Sequence, residues 1–339
     1  MMAQKRHPIL RIWILTVALF ALSLLSVLLG RYHVPLRETI RIFLYGAGLP
    51  LEKTWTDAMA AAILQIRLPR ILLAALVGCA LSAAGTAYQS VFQNPMAAPD
   101  ILGASSGACF GATLAILLDQ PGTVITAAAF ACSLLTVAVV YLISRRARDN
   151  RVMNLLLSGI MVSSLFSAGI SYVKLVADPT SKLPEITYWL MGSLAGTRGE
   201  DVFFVLWPIL LGVFPLLALR WRINLLTLGE EEAHAMGIHT GHLRLAVIFC
   251  ATVLTAASVS VSGMIGWIGL VIPHLSRRLV GNDCRYLFPC SMVFGAVFLL
   301  LVDDISRNLL AIELPIGILM ALIGAPFFLC LMTKRGERA

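Results

Sequence analysis

The chain has 339 residues, 59% of them hydrophobic and only 13% charged, with a net charge of +8 and a mean hydropathy of +0.87. A soluble domain carries about 25% charged residues, so half the usual solvating charge is missing. This excludes disorder and an ordinary cytosolic enzyme, argues against nucleic-acid binding, and makes the basic residues markers of the loops on one side of a bilayer.

A helix needs about 20 apolar residues to cross a bilayer, and hydropathy predicts ten such spans in chain order. The first, 9–30, follows Lys5 and Arg6. It is longer than a signal-peptide core of about 7–15 residues and has no A-x-A site after it, so it reads as an uncleaved span. The second, 68–92, opens on the string RLPR, with Pro69 where a helix start tolerates proline. The third, 100–118, is short and carries Gly103, Gly107 and Gly111 at every fourth position, the pattern of close helix packing. The fourth and fifth cover 122–144 and 152–173. In the fifth, Gly159, Ser163, Ser167 and Ser171 form a similar stripe, suited either to packing or to a hydroxyl-lined path. Spans 202–220, 243–262, 267–280, 286–306 and 313–333 follow. Like the third, 267–280 is short and interrupted by Gly or Pro, which membrane depth tolerates only when protein or a water-filled cavity surrounds it. Trp189 and Trp267 fall near predicted interfaces, where anchoring is the expected role.

Ten spans put both termini on one side. Sixteen of the 26 Lys and Arg residues lie on that side, which makes it cytoplasmic by the positive-inside rule. One region disobeys. Residues 31–70 place Arg31, Arg37, Arg41, Lys53, Arg67 and Arg70 outside. These side chains either snorkel to headgroups or form a cationic collar for an acidic external partner; composition alone does not choose.

No catalytic, metal or cofactor signature appears. There is no phosphate loop, no Gly-Lys dipeptide and no H-E-x-x-H. The seven cysteines form no CxxC pair and read as apolar filler. Ionisable groups are scarce inside the spans, with Asp303, Asp304 and Glu313 at span ends, which disfavours ion-coupled secondary transport, the alternative from another class. An intramembrane enzyme rests only on His274 and Asp303–Asp304, which fall at opposite faces. The informative polar stretch is 220–244. Leu228, Ala233, Met236 and Ile238 have partial helical periodicity, Glu230, Glu231 and Glu232 suit a helix's first turn, and Gly237 can end it. This predicts a short amphipathic helix, either solvated or docked into a partner's groove. His234, His239 and His242 do not have zinc-site spacing.

The strings 67–108 (RLPRILLAALVGCALSAAGTAYQSVFQNPMAAPDILGASSGA), 187–196, 228–238 (LGEEEAHAMGI), 263–281 (GMIGWIGLVIPHLSRRLVG) and 313–331 resemble the FecCD/BtuC-type permeases, the membrane subunits of type II ABC importers for iron–siderophore, haem, cobalamin or molybdate. The resemblance covers nearly the whole chain. It implies an all-α polytopic fold of about ten transmembrane helices, one permease domain over 1–339, and a homodimer enclosing the path. It also implies two cytoplasmic ATPase subunits and a periplasmic or lipoprotein binding protein, in a bacterial or archaeal plasma membrane. Within it, 224–242 would be the coupling segment, with Gly229, Glu230, Glu231, Glu232, Ala233, Met236, Gly237 and Ile238 seated on the ATPase. Arg67, Arg70 and Arg307 would dock the binding protein. Asn94, Met96, Val152 and Met153 match gate positions, with Ser163, Ser167 and Ser171 as candidate pore residues. Related members often carry small polar residues at 152 and 153, and Pro at 264. Iron–siderophore is the expected cargo on family frequency, with haem, cobalamin and molybdate as alternatives.

Overall fold

The computed structural model describes residues 7–46, 48–50, 52–146, 151–310 and 312–336. Its helices run in the order α1 (Pro8–Leu28), α2 (Leu36–Gly46), α3 (Asp57–Ala61), α4 (Leu68–Val91), α5 (Ala104–Leu117), α6 (Gly122–Arg146) and α7 (Arg151–Val176). They continue with α8 (Lys182–Leu190), α9 (Gly199–Leu226), α10 (Glu230–Ala235), α11 (Thr240–Ser262), α12 (Ile268–Val280), α13 (Cys284–Asn308) and α14 (Ile316–Gly336). Among the described residues seven are long and apolar enough to cross a membrane; α5 and the Ile316–Leu329 part of α14 are shorter apolar helices, and α12 has 13 residues. Each of the ten predicted spans coincides with one helix, and the connections alternate between two ends of the bundle. One end, the termini face, holds the start of α1 and the end of α14.

At the centre stands α4, most of whose residues are buried, packed by α11, α12 and α13. Small residues make that possible. A Cβ on Gly78 would fall onto the carbonyl of Gly295 in α13, and one on Gly85 onto the carbonyl of Gly269 in α12. Backbone therefore meets backbone, as small residues permit in membrane helices. The Gly103–Gly107–Gly111 face does the same, with Gly107 against Thr136 and Gly111 against Cys132 of α6. By contrast, α1, α7 and α9 expose large apolar side chains such as Phe20, Leu165 and Phe214.

Several boundaries differ from the hydropathy reading, for local reasons. The third span starts as a 3₁₀ turn, Pro99–Leu102, and becomes α-helical only after Gly103 adopts φ +77°. The helix α9 extends both ends of 202–220, beginning at a capping box in which Asp201 accepts from the Arg198 N–H. The polar 31–70 region holds α2, α3 and a π-helical turn, Ala62–Arg67, that leads into α4. Trp267 is half-buried. With φ +70° it caps α12, and its indole fills the space beside Gly324 of α14. Trp189 is likewise half-buried among side chains of α5 and α8 rather than displayed at a rim.

Candidate docking and coupling sites

The candidate docking arginines converge at the face opposite the termini, but they are not a display of free cations. Arg67, Arg70 and Arg307 are only 5%, 5% and 7% exposed. Arg70 closes on Asp303 through Nε (3.0 Å to Oδ1) and Nη2 (2.9 Å), and its Nη1 donates to Glu313 Oε2 at 2.8 Å. Arg307 stands with Nε 3.2 Å from Asp303 Oδ2 and donates through Nη2 to Asp304 and to Ser26 Oγ. Ser26 Oγ in turn donates to Asp304 Oδ1 at 2.6 Å. Arg67 has no carboxylate among these contacts; it donates to the carbonyls of Val27 (2.7 Å) and Tyr32. Three cations thus face three acids, and the cluster is formally neutral. Burial demands this arrangement, because an uncompensated charge removed from water is prohibitive. Asp303 is completely buried, whereas the Glu313 side chain keeps 32% of its surface in solvent.

The acids that neutralise this cluster were visible only as residues at span ends, since Asp303 and Glu313 lie 233 and 243 positions from Arg70 along the chain. Beside the cluster a cavity of about 730 Å³ opens between the π-helical turn and the Gly196–Gly199 loop, with Arg70 and Arg198 in its wall.

At the termini face, the predicted amphipathic helix is shorter than its periodicity suggests. Gly229 (φ +137°) and Gly237 (φ +77°) turn the chain on either side of α10, a helix of only six residues. Ala233 is buried and Ile238 packs on the core, with the Ile238 N–H donating to the Ala233 carbonyl at 3.1 Å. Leu228 and Met236 are exposed, so a six-residue helix cannot bring all four apolar residues onto one face. Glu232 lies on the exposed side; the side chains of Glu230 and Glu231 lie outside the described residues.

The gate candidates come from two elements. Asn94 and Met96 occupy the exposed turn after α4, where Asn94 Oδ1 accepts the Met96 N–H at 2.9 Å. Val152 is half-buried and Met153 exposed, both on the first turn of α7. The small-residue stripe of α7 divides in two. Gly159 sits against the Ile101 carbonyl and Ser163 against Gly103, so these serve packing. Ser167 and Ser171 are exposed, with Ser171 Oγ donating back to the Ser167 carbonyl. Hydropathy alone missed a second polar contact inside the bundle: Gln89 accepts from Arg277 and donates to the Gly269 carbonyl, tying α4 to α12. Among the described residues no group of His, Cys, Asp or Glu side chains could hold a metal ion.

Known proteins resemble this architecture over its full extent. The sequence profile of the FecCD transport family matches residues 17–334. The molybdate import system permease protein MolB of Haemophilus influenzae is 42% identical over 320 residues, 94% of each chain. The Fe(3+)-citrate import system permease protein YfmE of Bacillus subtilis is 38% identical over 335 residues, covering 97% of this chain and 96% of its own. A solved structure described as an inward-facing metal-chelate type ABC transporter superposes with a TM-score of 0.85 at 40% identity, over 95% of this chain and 98% of the other. The chain therefore belongs to the FecCD transport family: it is a multi-pass ABC importer permease of a prokaryotic plasma membrane, a transport subunit that is not itself catalytic.

Proposed function

We propose that two copies of this chain enclose a path for an iron–siderophore complex, driven by two cytoplasmic ATPase subunits and fed from outside by a binding protein. Both termini lie in the cytoplasm, so α10 faces the ATPase and the arginine cluster faces the binding protein. The permease performs no bond chemistry; it couples conformations. Each partner shifts the equilibrium only by its differential affinity for the two states. The observation that carries this reading is the pairing, on opposite faces, of a short Gly-bounded helix with an arginine cluster whose rim acid, Glu313, stays partly in solvent.

In that reading the binding protein engages Arg70 by substituting its own carboxylate for Glu313, while Asp303 stays in place. Gly229, Glu230, Glu231, Glu232, Ala233, Met236, Gly237 and Ile238 form the coupling segment. Asn94, Met96, Val152 and Met153 border the cytoplasmic exit, and Ser167 and Ser171 offer weak hydroxyl contacts to cargo. A second reading, molybdate as cargo, is favoured by the 42% identical MolB. Vesicles reconstituted with the permease, its ATPase and its binding protein should accumulate radiolabelled ferric siderophore only with internal ATP. Uptake of radiolabelled molybdate instead would transfer the assignment to the oxyanion. Accumulation by the permease alone, driven by a proton or sodium gradient, would overturn the ATP-coupled reading.

A further inference from the structure

A cavity of about 610 Å³ opens at the termini face, between the last turn of α6 and the first turns of α7 and α11. Its two arginines enter none of the docking, gate or coupling assignments above, whereas His234, His239 and His242 fall within the 224–242 segment and Val152 among the gate candidates. Five nitrogen-bearing side chains line it: Arg145, Arg244, His234, His239 and His242. Among the described residues that line it there is no carboxylate. Its floor is apolar, formed by Phe92, Leu155 and Ile248.

Several of the lining residues carry hydrogen-bond donors. Arg145 carries its guanidinium over the Tyr141 ring, 5.9 Å from the ring centre, a contact that orients the group through its face and leaves the N–H edge available. The rings of His239 and His242 meet edge to face at 6.0 Å, and an imidazole has at least one N–H to donate in either protonation state. The three histidines do not converge as metal ligands. The first turn of α11, a helix of 23 residues, supplies part of the wall, and His239 provides no side-chain cap to its N–H groups. First-turn N–H groups have no intrahelical acceptor and carry the positive end of the helix dipole.

We propose that this cavity binds a tetrahedral oxyanion, with Arg145 supplying the planar fork and His242, on the first turn of α11, a further N–H. The proposal needs neither the cargo nor the orientation argued above. A free inorganic anion and a lipid phosphate share this chemistry, and the experiment separates them. The full-length chain in a non-ionic detergent would be titrated calorimetrically with sodium molybdate, sulfate and phosphate against sodium chloride. The same protein would be placed in nanodiscs with and without phosphatidylglycerol, and its thermal stability measured. One saturable oxyanion site per chain is expected, weakened roughly tenfold by Arg145→Gln and further by Arg145→Gln with His242→Asn, whereas Arg145→Lys keeps the charge without the fork and should lose less. Both positions are exposed, and an unchanged circular dichroism spectrum reports an intact fold. Stabilisation by phosphatidylglycerol alone, abolished by Arg145→Gln, would identify a lipid phosphate as the source of the anion. Binding of neither kind, or binding indifferent to both variants, would overturn the proposal.

Discussion

Replacing Asp303 with Asn tests whether the arginine cluster is a structural keystone as well as a docking surface. The Asp303 carboxylate is fully buried and faces two guanidiniums at once, Arg70 at 2.9–3.2 Å and Arg307 at 3.2 Å. Asn keeps the shape and one acceptor oxygen but withdraws the charge, leaving three buried cations against two acids. Removing one partner of a buried ion pair costs about 3–5 kcal/mol; the retained acceptor argues for the lower end. Glu313→Gln removes a charge from the same Arg70, but from a side chain that is 32% exposed and screened by solvent, so its cost should stay below about 1 kcal/mol. Unfolding in mixed micelles by titration with sodium dodecyl sulfate, followed by labelling of the buried Cys109, Cys250, Cys284 and Cys290, measures both. Equal losses for the two variants, or an Asp303→Asn protein within about 0.5 kcal/mol of the parent, would refute the assignment of Asp303 as the anchoring counter-ion.

The same geometry changes what a charge-reversal experiment means: turning Arg67, Arg70 and Arg307 to Glu would place three acids beside Asp303, Asp304 and Glu313, and the fold would fail before docking could be read. Glu313→Gln is the cleaner probe, expected to tighten binding-protein docking severalfold at low ionic strength and less at high salt, measured by surface plasmon resonance; weaker docking would argue against carboxylate exchange at Arg70. Gly85→Ala should cost about 1–3 kcal/mol by the same unfolding titration, since its Cβ meets the Gly269 carbonyl and neither backbone can yield; a neutral result would mean that α4 and α12 are not in backbone contact. At the tip after α7, hydrogen bonds to Asp178 from the Thr180 hydroxyl, the Ser181 and Thr180 amides and the Ser181 hydroxyl hold its carboxyl down at about 2, below its ordinary 3.8. A depressed folded pKa contributes stability above the unfolded value that is lost as pH falls through the folded one. Pepsin cleavage near 177–181 should therefore accelerate between about pH 4 and pH 2, while Asp178→Ala is already fast at pH 4; a rate independent of pH in the parent would contradict this.

How much of this was legible in the sequence depends on the range of each interaction. The ten spans follow from local hydropathy, and each has its helix. The Gly103–Gly107–Gly111 face could be read from spacing alone, and it does pack closely on α6. Spacing could not distinguish Gly159 and Ser163, which pack against residues 101–103, from Ser167 and Ser171, which are exposed, because that depends on where neighbouring segments of the chain lie. Short helices were the weak point. The π-helical turn before Arg67 has no hydropathy signature, and α10 stops at six residues because Gly229 and Gly237 take backbone conformations that sequence periodicity does not register. The counter-ions of Arg70 were hardest to foresee, since they come from α13 and the segment before α14, far along the chain, whereas those of Arg307 stand three and four residues away on its own helix.

The glycine contacts along α4 decide which parts of the bundle can move. Where Gly78 meets Gly295 and Gly85 meets Gly269, main chains touch, with no layer of side chains between them to act as a lubricant. Sliding or rolling α4 against α12 or α13 would drive carbonyl oxygens into neighbouring backbone, so these three helices must travel as one rigid keel. Rearrangement in this protein therefore falls to elements outside that keel.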